Sequence, residues 1–223
     1  MLKSVLRLYR ENGALLTARA MYNRAVRRIF NLMVARKLPG ALNLSLRPNV
    51  VLSGLAHITI GKNLIAGDFL KLEAVTRFRE QSFTPRIVIK DNVSMNDFVH
   101  IGATNYIEIG NNVLMASKIF ISDHNHGVYR GDGQSRPSLP PAERVLTSDQ
   151  SVVIGDNVWI GEFVAILPGT IIGQGAIIGA NSVVSGEIPP FSIAVGSPAR
   201  VVKQFNDSTG SWEPLARKVK ENA

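Results

Sequence analysis

The stretch that decides the fold is residues 154–185, IGDNVWIGEFVAILPGTIIGQGAIIGANSVVS. A large aliphatic residue recurs at every sixth position: Ile154, Ile160, Ile166, Ile172, Ile178 and Val184. The residue after it is Gly155, Gly161, Leu167, Gly173, Gly179 or Ser185. Four residues after each aliphatic stands a small or β-branched side chain: Val158, Val164, Thr170, Ala176 and Ser182. A period of six fits neither a 3.6-residue helix nor a strand alternating every two residues. It fits a chain that turns a corner every six residues, three sides closing one triangular coil. Each aliphatic then points into the prism, and neighbouring coils stack to bury one continuous core. Five isoleucines, Ile154, Ile160, Ile166, Ile172 and Ile178, are therefore expected to be buried in one column.

The same grammar runs upstream, in Ile89–Val93, Met95–Val99 and Ile101–Asn105, then in Ile109–Val113, Met115–Ile119 and Ile121–Asn125. A weaker start is visible around Ile58, Ile60 and Ala66. Asp91-Asn92, Asn111-Asn112 and Asp156-Asn157 supply corners, because Asn and Asp tolerate left-handed backbone. Between Ile101 and Ile109 the step is eight, which requires a two-residue bulge near Tyr106. Between Asn125 and Val152 the phase is lost altogether, in a polar stretch with three prolines and three glycines. A long excursion from a regular scaffold points to function, and this one starts directly after Asp123-His124-Asn125-His126.

The 223-residue chain has 45% hydrophobic and 19% charged residues, as a soluble globular protein does. It has no cysteine, so it offers no disulfide, thiolate metal site or cysteine nucleophile. No run approaches the ~20 apolar residues of a membrane span. Arg7, Arg10 and Glu11 interrupt any apolar core of a secretory signal. The net charge of +8 is concentrated: residues 1–40 hold nine basic groups against the single Glu11, and the other 183 residues balance. The division expected is a basic amphipathic helix and linker at 1–45, a repeat domain at 46–204 with a loop at 127–150, and a tail at 205–223.

Within 1–40, Ala18, Tyr22, Ala25, Val26, Ile29, Phe30 and Met33 share one helical face, and Asn23, Arg24, Arg27, Arg28 and Asn31 the other. Pro39-Gly40 ends the pattern. The apolar face is expected to pack on the body or on a neighbouring subunit. The alternative is peripheral contact of residues 1–38 with an acidic membrane surface, in a cytoplasmic protein. The neutral body lacks the broad cationic face that nucleic-acid binding would need.

Together with the repeats, ISDHNHG at 121–127, NVWIGEFVAILPGTIIG at 157–173 and IPPFSIAVGSPARVVK at 188–203 resemble the hexapeptide-repeat acetyltransferases. The similarity spans about residues 58–204 and is greatest to the sugar and exopolysaccharide O-acetyltransferases. It implies a left-handed parallel β-helix, a homotrimer, and acetyl-CoA as cosubstrate. The implied reaction is acetyl transfer to a hydroxyl of a sugar or surface-polysaccharide precursor, with a histidine as general base.

By the same resemblance, His126 falls on the catalytic histidine, with His124 as close competitor, and Asn96 on a substrate-binding asparagine. Gly161 and Glu162 would face the thioester, their backbone offering an oxyanion donor. Glu162 stands where such enzymes often carry serine, which puts that assignment in doubt if the serine acts through its hydroxyl. Trp159 would pack at the cofactor groove, Ala180 and Ser185 would line the pantetheine arm, and Arg200 and Lys203 would approach the cofactor phosphates. No metal is implied. Alternatives are N-acetylation of an amino sugar or antibiotic, and a γ-type carbonic anhydrase with zinc on His100, His124 and His126, whose spacing fits poorly.

Overall fold

A computed structural model describes residues 2–38, 40–47 and 49–215. Three parallel sheets form the walls of a prism. The first side stacks Ser45–Leu46, Ile65–Ala66, Ser94–Met95, Leu114–Met115, Trp159–Ile160, Ile177–Ile178 and Ser192–Val195. The second stacks Val51–Ser53, Lys71–Ala74, His100–Ala103, Phe120–Ser122, Ala165–Ile166 and Val183–Val184. The third stacks Ile58–Ile60, Arg86–Ile89, Tyr106–Ile109, Ser151–Ile154, Ile171–Ile172 and Glu187–Ile188. Taken in chain order these give six coils, the first beginning at Ser45, earlier than the repeat is legible.

The five isoleucines are all buried in one core, as the period requires. They do not form the single column expected but stand in three stacks, one per wall, because successive sides of the prism face inward from three directions. Ile154 pairs with Ile172, Ile160 with Ile178, and Ile166 with Ile121 above and Val184 below. Thr170, Ala176 and Ser182 fill the tight inward corners. The two buried hydroxyls are satisfied by the carbonyls of Leu167 and Gly179, each 2.6 Å away. One corner is an asparagine ladder: Asn43, Asn63, Asn92, Asn112 and Asn157 adopt positive φ and link side chain to side chain at 2.7–3.1 Å. At another, Phe69 and Phe98 stack with ring centroids 4.7 Å apart.

Three departures from the repeat fall at one corner, between the second and third walls. Coil two inserts a hairpin pairing Arg77–Phe78 with Gln81–Ser82. Coil three inserts Thr104-Asn105, the bulge expected beside Tyr106. Coil four inserts the long loop after Ser122. Beyond the last coil, Arg200–Asn206 turns back on Ser192–Val195 and pairs with Ser211–Pro214, an antiparallel hairpin that the repeat grammar does not announce.

The N-terminal helix, Leu2–Ala35, is broken at Gly13, where φ is 75°. Pro39, named above as its stop, lies outside the described residues, as do residues 216–223 of the tail. Of the face expected to pack on the body or on a neighbouring subunit, only part meets the body. Asn31, from the polar face, is buried, as is Thr17, whereas Tyr22, Ile29 and Met33 are more than half exposed. The reason is a specific hydrogen-bond pair: Leu46 N–H donates to the Asn31 side-chain carbonyl at 2.9 Å, and the Asn31 amide donates to Leu46 C=O at 3.2 Å. Asn31 thus completes the unpaired edge of the first strand, where an apolar side chain would leave two peptide groups unsatisfied. Phe30, Val34, Ala35 and Leu38 join the core beside it.

Candidate active site

The long loop leaves the second wall at Ser122, and the next residue, Asp123, is wholly buried. A carboxylate in that position needs several donors, and the bulge in coil three supplies them. Asp123 Oδ1 accepts from Thr104 N–H at 2.9 Å and from the Thr104 hydroxyl at 3.2 Å, and Oδ2 accepts from Asn105 N–H at 2.9 Å. The two-residue insertion that breaks the repeat is therefore the cradle of Asp123.

Asp123 Oδ1 also lies 2.9 Å from His124 Nδ1. An acceptor-only carboxylate there fixes the ring proton on Nδ1 and leaves Nε2 with a free lone pair. Ser122 Oγ, 3.3 Å from Nδ1, accepts from His124 N–H at 3.2 Å and donates to His124 C=O at 3.0 Å. The ring is mostly buried and borders a cavity of about 380 Å³ shared with Glu73, His100, Gly102 and Phe120.

Gly102 keeps that cavity open. A Cβ there would meet His124 Cε1 at 3.6 Å and His100 Nε2 at 3.8 Å, standing between the two rings. His100 Nε2 is 2.9 Å from Glu73 Oε2, which also takes Lys71 Nζ at 2.8 Å. Burial pushes the Glu73 carboxyl up, but bonds and charge from Lys71 and His100 outweigh it and hold it below its ordinary value. Glu73 was not legible as a site residue, and His100 entered only as a zinc ligand of the alternative reading; the signal is their place on the wall leading to the interrupted corner.

His126 borders the same cavity but is exposed, its ring edge-on to Phe78 with centroids 5.2 Å apart. The inserted hairpin that carries Phe78 also braces the loop: Gln81 exchanges two hydrogen bonds with the Leu146 backbone, at 2.7 and 3.0 Å. The three histidines proposed as zinc ligands thus face different partners: His100 Glu73, His124 Asp123, and His126 Phe78. Among the described residues, no group of three or more His, Asp or Glu is placed to hold a metal ion.

The remaining candidates divide between corners. Ser185 lies on the histidines' own corner and lines a neighbouring cavity of about 540 Å³ with Asn125, Thr147 and Leu167. Gly161, Glu162 and Ala180 lie on the corner between the first and second walls, where a Cβ on Gly161 would come 2.7 Å from Ala180 N. Asn96 is on that corner too, grouped with Arg27, Arg47 and Ser117 and away from His124. Trp159 is half exposed on the first wall, between Leu114 and Ile177. Arg200 and Lys203 are exposed on the inner strand of the C-terminal hairpin, the one that pairs with Ser192–Val195. One chain does not bring the histidines together with the Gly161 corner.

This geometry has known relatives. Residues 151–186 match the bacterial transferase hexapeptide (six repeats) family model. A putative lipopolysaccharide biosynthesis O-acetyl transferase, WbbJ of Escherichia coli K12, is 46% identical over 157 residues, covering 70% of this chain and 76% of that protein. The chain belongs to the hexapeptide-repeat O-acetyltransferases. Its β-helix is accordingly the left-handed one. Galactoside O-acetyltransferase of E. coli K12 is 39% identical over 104 residues, 45% of each chain. A probable acetyltransferase of Mycobacterium tuberculosis, Rv3034c, is 37% identical, and this chain spans half of its length. Among solved structures, a mutant of the Bacillus cereus N-acyltransferase AntD superposes with a TM-score of 0.53 at 20% identity, over 80% of this chain and 90% of that one, a likeness of fold. Among the described residues of this family member, no helix is long and apolar enough to cross a membrane.

Proposed function

We propose that residues 46–204 transfer an acetyl group from acetyl-CoA to a hydroxyl of a sugar or surface-polysaccharide precursor, with His124 as the general base. The observation that carries this reading is the buried Asp123 carboxylate at His124 Nδ1, which leaves Nε2 as the basic nitrogen beside an open cavity. His126, the first choice from sequence register, borders the same cavity, but the buried carboxylate stands at His124 Nδ1, so this reading gives the base to His124. Asn96, exposed on the same corner as Gly161, keeps its expected place at the acceptor, on the face that a neighbouring prism would bring toward His124.

In the reaction, His124 Nε2 takes the acceptor's hydroxyl proton as the oxygen attacks the thioester carbonyl. The tetrahedral intermediate collapses with cleavage of the carbon–sulfur bond, and the departing thiolate takes the proton from the imidazolium. The relatives named for O-acetyl transfer support a hydroxyl acceptor; the N-acyltransferase likeness is one of fold.

The working unit in this reading is a homotrimer. His124 and Ser185 sit on one corner of the prism, and Gly161, Glu162 and Ala180 on another. A neighbouring prism would bring its Gly161 corner, with Trp159, Arg200 and Lys203, across the groove to hold acetyl-CoA. The enzyme would act in the cytoplasm, with residues 1–38 in peripheral contact with an acidic membrane surface. The deciding experiment is acetyl-CoA consumption against a panel of free sugars, nucleotide sugars and surface polysaccharides. Turnover with none of them, by correctly folded protein, overturns the reading.

A further inference from the structure

We propose that the outward face of the N-terminal helix is a docking surface for an anionic lipid bilayer, with the prism standing on the membrane by its first coil. This deepens the location given above and is independent of the acetyl-transfer chemistry. The orientation of the helix is set by Asn31, whose two hydrogen bonds to Leu46 fix that side against the body. What this turns outward is a seam at alternating steps of three and four: Leu15, Ala18, Tyr22, Ala25, Ile29 and Leu32. Its four large members are 82%, 69%, 58% and 58% exposed. Six positions at that spacing form a continuous apolar stripe rather than scattered surface residues.

The charges beside the stripe choose its occupant. Arg19, Arg28 and Lys37 are all exposed on its flanks. From Asn12 to Gly67 the sequence contains neither Asp nor Glu. A second copy of this helix laid on the stripe would set arginine against arginine with no carboxylate to separate them, which disfavours self-pairing. An anionic bilayer satisfies both features at once, taking the apolar seam into the acyl boundary and the guanidinium groups to the headgroups. Because the same helix packs on the first coil, the site would stand off the membrane. His124 follows the fourth strand of its wall, three strand spacings or about 14 Å beyond the first.

The test is flotation of the full chain with vesicles of phosphatidylcholine alone or with phosphatidylglycerol added. The full chain should float only with the anionic vesicles and be released by salt, as screening requires. Ile29→Asp combined with Leu32→Asp, both at exposed positions, should weaken partition by more than about tenfold. Arg19→Ala and Arg28→Ala should each cost about fivefold. Melting temperature and turnover of a soluble acceptor should stay unchanged throughout. Failure of the full chain to float, or flotation undiminished in the double variant, overturns the proposal. So does loss of oligomer by the double variant with no effect on lipid binding, which would make the stripe a subunit contact. A chain that floats normally but transfers no acetyl group leaves this proposal standing and overturns the functional reading instead.

Discussion

His124 Nδ1 and Asp123 Oδ1 lie 2.9 Å apart, and the carboxylate is wholly buried while the imidazole reaches a cavity. That asymmetry gives the pair a direction, because only the outer nitrogen can meet a substrate. Replacing His124 by Ala should lower turnover by roughly 10²–10⁴ with little change in acetyl-CoA affinity, the effect of losing a positioned base. His126→Ala should be mild, acting on the acceptor's Michaelis constant through the loop. Steady-state kinetics of the two variants decide it. A crippled His126→Ala beside a nearly active His124→Ala would restore the sequence-register assignment.

Asp123→Asn separates orientation from shape. The amide is nearly isosteric, but it can donate toward His124 Nδ1 and so favours the tautomer with its proton on Nε2, where the lone pair is needed. Turnover should fall by about two orders of magnitude or more, by the logic of holding the base in one tautomer. With its NH2 in the place of Oδ1, the amide no longer accepts from Thr104 and keeps only the Asn105 N–H, at a cost of about 1–3 kcal/mol in stability. A folded Asn variant with full turnover would show that the carboxylate only ties the loop.

These two residues also show what the sequence could tell. The period of six defined the walls, the buried aliphatics and the corner from which the loop departs, because each aliphatic lies inward whatever its distant neighbours. It could not choose between His124 and His126. That choice depends on Thr104 and Asn105, brought under Asp123 by coil stacking across 18 residues of chain. Glu73 and Phe78 escaped for the same reason. The helix was legible only in part: its apolar residues suggested a packing side, but the side turned to the body is set by Asn31, which pairs the two edge peptide groups of Leu46.

The Glu73 carboxyl titrates below its ordinary value of 4.5 because Lys71 and His100 outweigh its burial. A lowered folded-state value means stability that is present above the unfolded value and lost as pH falls through the folded one. The wild-type chain should therefore lose stability faster below pH 4.5 than Glu73→Gln, which carries no such proton. Thermal melts of both proteins across that range test it. Parallel curves would mean that the ion pairs contribute nothing measurable.

Ile121 lies between Ile101 and Ile166 in the second wall's inward stack, two residues before Asp123. Ile121→Ala should cost about 2–5 kcal/mol as an unfilled core cavity. Turnover at a temperature where the protein stays folded should fall less than in His124→Ala. Denaturant unfolding supplies the first number and kinetics the second. A loss under about 1 kcal/mol would mean that the stack collapses around the gap.

The separation of the histidine corner from the Gly161 corner allows a test by mixing. His124→Ala removes the base from one corner, and Ala180→Trp fills the other at an exposed position beside Gly161 without touching the core. Each homogeneous protein should be inactive. In a cyclic trimer every site would take its base from one subunit and its groove from the next. When the two variants are unfolded together and reassembled at equal amounts, a site is intact only where an Ala180→Trp subunit offers its histidine to a His124→Ala neighbour. Random assembly makes that about a quarter of all sites, so about a quarter of wild-type turnover should return. If each chain held a complete site, every site would carry one defect and mixing would restore nothing. Sedimentation of the mixture as a trimer, with activity absent, would therefore reject the shared site while keeping the assembly.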